Sequence, residues 1–374
     1  MKIEVLKDNF KNSLGIVEKI VGKNLSLPIL DNVLINTEDN FLNLSSTNLE
    51  TAIKVWILAK IVKKGKVVVP AKFLSSFVSS LPNEKIILEE KYQGLYIECK
   101  NFKNNVQGFN PEEFPLIPEF KDVEFLEIDN KKLCQGLSQV ADITAVSQSR
   151  PEISGIYFSF SKNVVKIVAT DSFRLAEKNI LLDTPVKRDL SFILPQKTAK
   201  EILSILEDKE GKTNIYILPN QVMFEFPMKE FSHPQVQIIS RLIEGEYPNY
   251  QEIIPSKFKT QVFLKRDEFL NQIKTASLFS GKLSEVKIKI EDKNKEVQIF
   301  AQDPDIGQSQ SSVTAKIEGD PIEISFNHKF LTDGLLKMKS SEVSFEISKE
   351  EGACILKPVG DTSYLYVVMP IKSN

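Results

Sequence analysis

A chain of 374 residues exceeds what one hydrophobic core organises and suits about three domains of roughly 100 to 150 residues each. Its 42% hydrophobic and 26% charged residues are those of a globular protein, and no apolar run approaches the roughly 18 residues of a membrane span. With 48 basic against 50 acidic groups the net charge is −2, which excludes a uniformly basic nucleic-acid binder.

The opening Met1-Lys2-Ile3-Glu4-Val5 predicts a first strand and lacks the apolar segment of a secretory signal, which points to the cytoplasm. Phe10, Leu14 and Val17 then recur at i, i+4, i+7, the stripe of an amphipathic helix over 7–23. β-Rich runs follow, parted by a turn near Thr37 to Asn40. Next come Thr47-Asn48-Leu49, an apolar strand, and Pro70-Ala71-Lys72-Phe73-Leu74 opening a helix over 71–81. This order returns twice. The second copy has Leu133, Leu137 and Val140 in a helix over 129–145, a turn at Ser161 to Asn163, Thr170-Asp171-Ser172, and Pro195-Gln196-Lys197-Thr198-Ala199 opening a helix over 196–207. The third has Phe269, Ile273 and Ala276 in a helix over 265–282, a turn at Asp292 to Lys295, Gln302-Asp303-Pro304, and Asn327-His328-Lys329-Phe330-Leu331 opening a helix over 327–339. Three copies of one unit predict a repeating architecture whose function resides in the assembled shape. Proline-bearing connectors at Phe114 to Pro118 and Tyr247 to Pro255 set the expected domains at 1–124, 125–255 and 256–374.

Sorted by element, the charge becomes informative. The six predicted helices hold 16 Lys and Arg against 9 Asp and Glu, a net of +7, so the remainder carries −9. Helices sharing one side would make that side electropositive while the outside repels a polyanion. Only five arginines occur, and lysine lacks the planar fork that reads base edges, so such helices would hold phosphate without reading sequence. Lysine abundance on ordinary solvated helix faces explains the same count.

Catalytic signatures are missing from the sequence: there is no GxxxxGK[ST] loop, HExxH or GxSxG. His233 is expected in a loop and His328 at a solvated helix start. Cys99, Cys134 and Cys354, one per repeat and without CxxC spacing, are expected as buried free thiols. No cofactor or metal is expected. The alternative is a metal-dependent nucleic-acid enzyme using Asp171, Asp303 and Asp305. Two carboxylates at i, i+2 can contribute to a divalent-metal site, although turns favour Asp and Pro for backbone reasons.

The string Val168-Ala169-Thr170-Asp171-Ser172-Phe173-Arg174-Leu175-Ala176, the junction Glu246-Tyr247-Pro248-Asn249-Tyr250 and the end Tyr364-Leu365-Tyr366-Val367-Val368-Met369-Pro370-Ile371 together resemble the bacterial DNA polymerase III β subunit family over essentially the whole chain. The resemblance implies an α+β fold of three repeated clamp-type domains, each with two helices packed on antiparallel sheets, closing head to tail into a dimeric ring around duplex DNA. It implies a non-catalytic processivity factor whose partners are double-stranded DNA, the replicative polymerase, the clamp loader, repair and translesion polymerases and a second copy of itself, with no membrane. Partner peptides would dock in a pocket between the second and third domains, here Ile153, Thr170, Ser172, Phe173, Arg174, Leu175, Pro248, Ile253, Val367, Val368, Met369 and Pro370. Plain core packing explains Leu175, Val367 and Val368 equally. DNA would meet Lys72, Lys197, Lys200, Asn24 and Arg150. Val106, Leu278 and Phe279 are the apolar candidates for the dimer contact. The chain departs from the family's usual pattern at Phe173, where histidine is common, at Glu252, where a basic residue can line the pocket, and at Asn24 and Pro151-Glu152 in the DNA-side loops.

Overall fold

The computed structural model describes residues 1–22, 26–120, 122–147, 149–291 and 295–372. Among these are six α-helices: α1 (Lys7–Val17), α2 (Ala71–Ser80), α3 (Asn130–Val140), α4 (Gln196–Leu206), α5 (Arg266–Ser277) and α6 (His328–Leu336). Every predicted helix is present, and each is shorter than its predicted range. The 3-10 turns Glu18–Ile20 and Ala141–Ile143 take over where the apolar stripes of α1 and α3 run out. Phe10, Leu14, Val17, Leu133, Leu137, Val140, Phe269, Ile273 and Ala276 are all fully buried, so the period-3.6 pattern marks the core face in all three copies.

Packing groups the chain into two units, Met1–Cys134 with Lys197–Leu242, and Gln135–Gln196 with Ile243–Asn374. The first unit holds a five-stranded sheet in the order Lys60–Lys63, Lys2–Leu6, Lys85–Lys91, Gly94–Cys99, Phe102–Val106. Its eight-stranded sheet runs Phe125–Asp129, Lys212–Ile217, Gln221–Pro227, Pro234–Arg241, Thr51–Leu58, Phe41–Thr47, Asn32–Glu38, Lys66–Pro70. The second unit is built on twelve strands, from Leu190–Pro195 through Gly155–Ser161, Val164–Thr170, Arg174–Leu181, Tyr364–Val368, Cys354–Pro358, Glu342–Ile347, Thr260–Lys265, Gly307–Gly319, Glu296–Asp303 and Glu285–Glu291 to Ile322–Asn327.

One ladder in each unit explains why the middle repeat is divided between them. Thr51–Leu58 of the first repeat pairs antiparallel with Pro234–Arg241 of the second, with Thr51 opposite Ser240. Arg174–Leu181 of the second repeat pairs in the same way with Tyr364–Val368 of the third, with Arg174 opposite Val368. Backbone hydrogen bonding therefore runs through both repeat junctions.

The recurring tripeptide is a recurring turn. Thr47 Oγ1 donates to Thr51 O (3.1 Å) and accepts from Leu49 N (3.0 Å), while Asn48 Oδ1 accepts from Glu50 N (3.0 Å) and Thr51 N (2.7 Å). In the second copy Thr170 Oγ1 donates to Arg174 O (2.7 Å) and accepts from Ser172 N (3.2 Å), while Asp171 Oδ1 accepts from Phe173 N and Arg174 N, both at 3.0 Å. Leu49 and Ser172 hold φ of 73° and 78°, a left-handed position that the Asx bonds on either side sustain. In the third copy Asp303 Oδ1 accepts from Asp305 N at 2.8 Å.

His233 lies in the loop before Pro234 as expected, and its ring is partly buried and stacks on Phe41 with centroids 4.0 Å apart. His328 opens α6 half-buried, and desolvation beside Lys329 lowers its pKa. The turn expected at Asp292 to Lys295 falls largely outside the described residues.

Candidate functional site

The second-copy turn and the last strand are one piece of sheet. Leu175 faces Val367, Arg174 faces Val368, and Met369 N donates to Phe173 O at 2.9 Å. Leu175, Val367 and Val368 are buried, the first two in a cluster with Val168, Ile193, Tyr247, Tyr250, Ala353 and Ile355. These side chains are core and form a floor, as does Ile153 at 3% exposure. The surface is made by others. Phe173 is 61% exposed and Ile253 49% exposed, with Pro248, Met369 and Pro370 half-buried.

Arg174 is the polar anchor of this surface. Its Nε donates to Asp171 Oδ2 at 2.9 Å, its Nη1 donates to Asp333 Oδ2, and its guanidinium lies 4.7 Å from the Phe330 ring centroid. Burial acts to lower its pKa, but Tyr366, Asp333 and Asp171 outweigh that and raise it, so the group is a fixed cation. Phe330 in turn stacks on Phe173 with centroids 6.2 Å apart. Phe330 and Asp333 lie on α6, and nothing in the sequence pattern assigned them to this site. The available signal was the threefold helix start itself, which places Phe330 one residue after Lys329.

At the corresponding place in the first unit the same positions carry small hydroxyls. Thr198 Oγ1, in Phe330's place, lies 2.9 Å from both Thr51 Oγ1 and Ser240 Oγ, all buried. Ile117 and Phe120 of the connector pack on Ala52 and Ile239 there. One junction is thus sealed by hydroxyls and connector, whereas the other presents aromatic surface around a guanidinium.

Lys72, Lys197 and Lys329 are each the second residue of their helix and each exposed, and Lys200 is exposed one turn into α4. A cation at a helix N-terminus opposes the macrodipole, so its threefold recurrence is not a device for helix stability. Arg150 is engaged at the second-copy turn: its Nη1 donates to Ser172 Oγ at 3.1 Å and its Nε to Glu152 Oε1 at 3.3 Å. Asn24 lies outside the described residues. Leu278 is 70% exposed at the end of α5 with Phe279 half-buried beside it, whereas Val106 is buried at 6% exposure and offers little apolar surface in the single chain.

Two carboxylates of the metal alternative are committed elsewhere: Asp171 accepts from two backbone amides and Arg174, and Asp303 accepts from the backbone amide of Asp305 in a turn. Among the described residues no three His, Cys, Asp or Glu side chains are grouped to hold a metal ion. The thiols of Cys134 and Cys354 are pushed up to about 12 by burial, and no described helix is long and apolar enough to cross a membrane.

Sequence models of the DNA polymerase III beta subunit match residues 1–118 as its N-terminal domain, 127–249 as its central domain and 251–372 as its C-terminal domain. The chain belongs to this family. It is a sliding clamp, a non-catalytic processivity factor of DNA replication, and the metal-enzyme alternative has no support. It is 28% identical to the beta sliding clamp of Staphylococcus epidermidis over 384 residues, covering 100% of both chains. It also superimposes on the crystal structure of the DNA polymerase sliding clamp from Bacillus subtilis with a TM-score of 0.94 at 25% identity, and on the DNA polymerase III beta subunit of Thermotoga maritima with a TM-score of 0.90 at 26% identity, each covering 100% of both chains.

Proposed function

We propose that this clamp holds its partners through the surface formed by Phe173, Arg174, Pro248, Ile253, Phe330, Met369 and Pro370, and that Thr170, Ser172, Leu175, Ile153, Val367 and Val368 shape it from beneath. The observation that carries the reading is the stacked pair of exposed Phe173 and half-buried Phe330 beside a guanidinium held by two carboxylates. An apolar surface with one fixed polar anchor suits the hydrophobic residues of a short peptide. The occupants are peptides of the replicative polymerase, the clamp loader, and repair and translesion polymerases. Glu252, exposed and held by Asn249 at 2.6 Å, would set a preference against acidic peptides.

Two copies close head to tail around duplex DNA in the cytoplasm, each chain contributing domains with limits near 124 and 255. Lys72, Lys197, Lys200 and Lys329 meet phosphate without reading sequence, and encirclement makes tight contact unnecessary. Loading the protein onto nicked circular DNA with a compatible loader and then linearising the circle tests this. The protein is expected to run off the ends; retention on the linear product would sink encirclement. Partner docking is tested separately with Phe173→Ala, which should abolish polymerase stimulation while leaving loading on the circle intact.

A further inference from the structure

The ladders at the two repeat junctions share one register but differ at the foot. Thr51 stands opposite Ser240 and Arg174 opposite Val368, so Val55 corresponds to Lys178, Gln235 to Ser363 and His233 to Asp361. In the second unit the foot is closed from within the chain. Lys178 is buried; its Nζ donates to Ser363 Oγ at 2.5 Å and pairs with Asp361 Oδ2 at 3.4 Å, while Asp361 Oδ1 accepts from Ser363 N at 2.8 Å. A short acidic stretch of chain therefore sits on a covered ammonium.

The first unit has the ammonium without the carboxylate. Val55 carries no charge, but Lys209, from the loop after α4, reaches the same ladder position and donates to Gln235 Oε1 at 3.0 Å. His233, in the place of Asp361, turns its ring onto Phe41 and Trp56, with centroids 4.0 and 5.7 Å away. Among the described residues no carboxylate pairs with Lys209, and its neighbour Glu210 is taken by Lys131 at 2.8 Å. Lys209 is half-buried with Nζ 5.4 Å from the Phe226 ring centroid, and this desolvation lowers its pKa. The cation has given up water without gaining an anion.

Lys209 lines a cavity of about 730 Å³ that opens to solvent, within the size range of ligand sites. Ile16, Phe226, Met228, Phe231 and Val236 give it an apolar wall. Asp208, Glu210 and Glu230 also line it, against Lys209 and Lys229, so a doubly charged phosphate would meet more repulsion there than a single carboxylate does. We propose that this cavity is a second peptide site, taking a partner segment with one carboxylate beside large apolar side chains, the carboxylate on Lys209 and the apolar groups against Phe226, Met228 and Phe231. The occupant is a peptide because the second unit fills the corresponding place with its own Asp361-Thr362-Ser363. The site goes beyond the surface around Phe173 and does not depend on it.

Methyl-labelled methionine in the full-length protein gives each site its own NMR reporter, since Met228 lines this cavity and Met369 is bonded to Phe173. Titration with acetyl-Phe-Asp-Phe amide should shift the Met228 methyl, and acetyl-Phe-Asn-Phe amide should bind about tenfold more weakly. Lys209→Met keeps an unbranched stem and removes the charge. It should weaken the aspartate peptide to the level of the asparagine peptide while leaving the latter's affinity unchanged. Phe231→Ala, at a ring 46% exposed, should weaken both peptides about tenfold without moving the thermal midpoint. A Met228 methyl that stays fixed up to about 10 mM peptide, or equal affinity for the two peptides, overturns the proposal. So does an aspartate peptide indifferent to both variants. Movement of Met369 alone would put the peptide on the Phe173 surface, overturning this site while that reading stands.

Discussion

Arg174 and Phe173 are neighbours with opposite duties, and substitutions should separate them. Arg174 is a partly buried hub for Asp171, Asp333 and the Phe330 ring, so Arg174→Ala leaves the mostly covered Asp171 carboxylate without its cation and should cost about 1–2 kcal/mol in urea unfolding. Phe173 is mostly exposed, so Phe173→Ala should leave stability within about 0.5 kcal/mol yet weaken partner-peptide binding about tenfold or more by calorimetry. Loss of stability without loss of binding in Phe173→Ala would make that ring a structural side chain. The cysteines give a further check at this scale. Burial raises the pKa of all three, to about 12 for Cys134 and Cys354, so iodoacetamide at pH 8 should leave the native thiols unmodified and label them only after denaturation. The family resemblance pointed to Arg174 and Phe173 but not to Asp333 or Phe330. The latter two reach the site from another repeat through the Arg174 to Val368 ladder, and no local spacing encodes a contact 159 residues away.

The helices and turns were the most legible elements because their signals are local. The apolar stripes at Phe10, Leu133 and Phe269 face the core, and Thr47-Asn48-Leu49 and Thr170-Asp171-Ser172 fold into one turn because a Thr hydroxyl and an Asx oxygen satisfy the same amides. Helix ends were read too long at α1, α3, α5 and α6, since polar residues beyond the last stripe position fit a helix pattern as well as a 3-10 turn or coil. Strand pairing between repeats was not legible, because an edge strand and a joined strand share the same alternation. The helix starts carry the clearest test of function against stability. Replacing Lys72, Lys197 and Lys329 together by Glu puts favourable charge at three helix N-termini, worth about 0.3–1 kcal/mol each. The thermal midpoint should hold or rise while retention on DNA falls; a lowered midpoint with unchanged retention would return these lysines to a structural role.

At the scale of the whole molecule, a net charge of −2 is compatible with DNA binding only if charge is partitioned and retention is not a matter of affinity. A protein held by phosphate contacts loses affinity steeply with salt, because each neutralised phosphate releases counterions. A closed ring escapes that dependence as long as both the DNA and the ring stay closed. Loaded on covalently closed circles, the protein should therefore remain bound in about 0.5 M salt, where its equilibrium binding to linear duplex is undetectable. Cutting the circle should release it at the same salt without any change in contact chemistry. If residence on circles instead tracked salt as binding to linear DNA does, the lysines and not the ring would be holding the DNA.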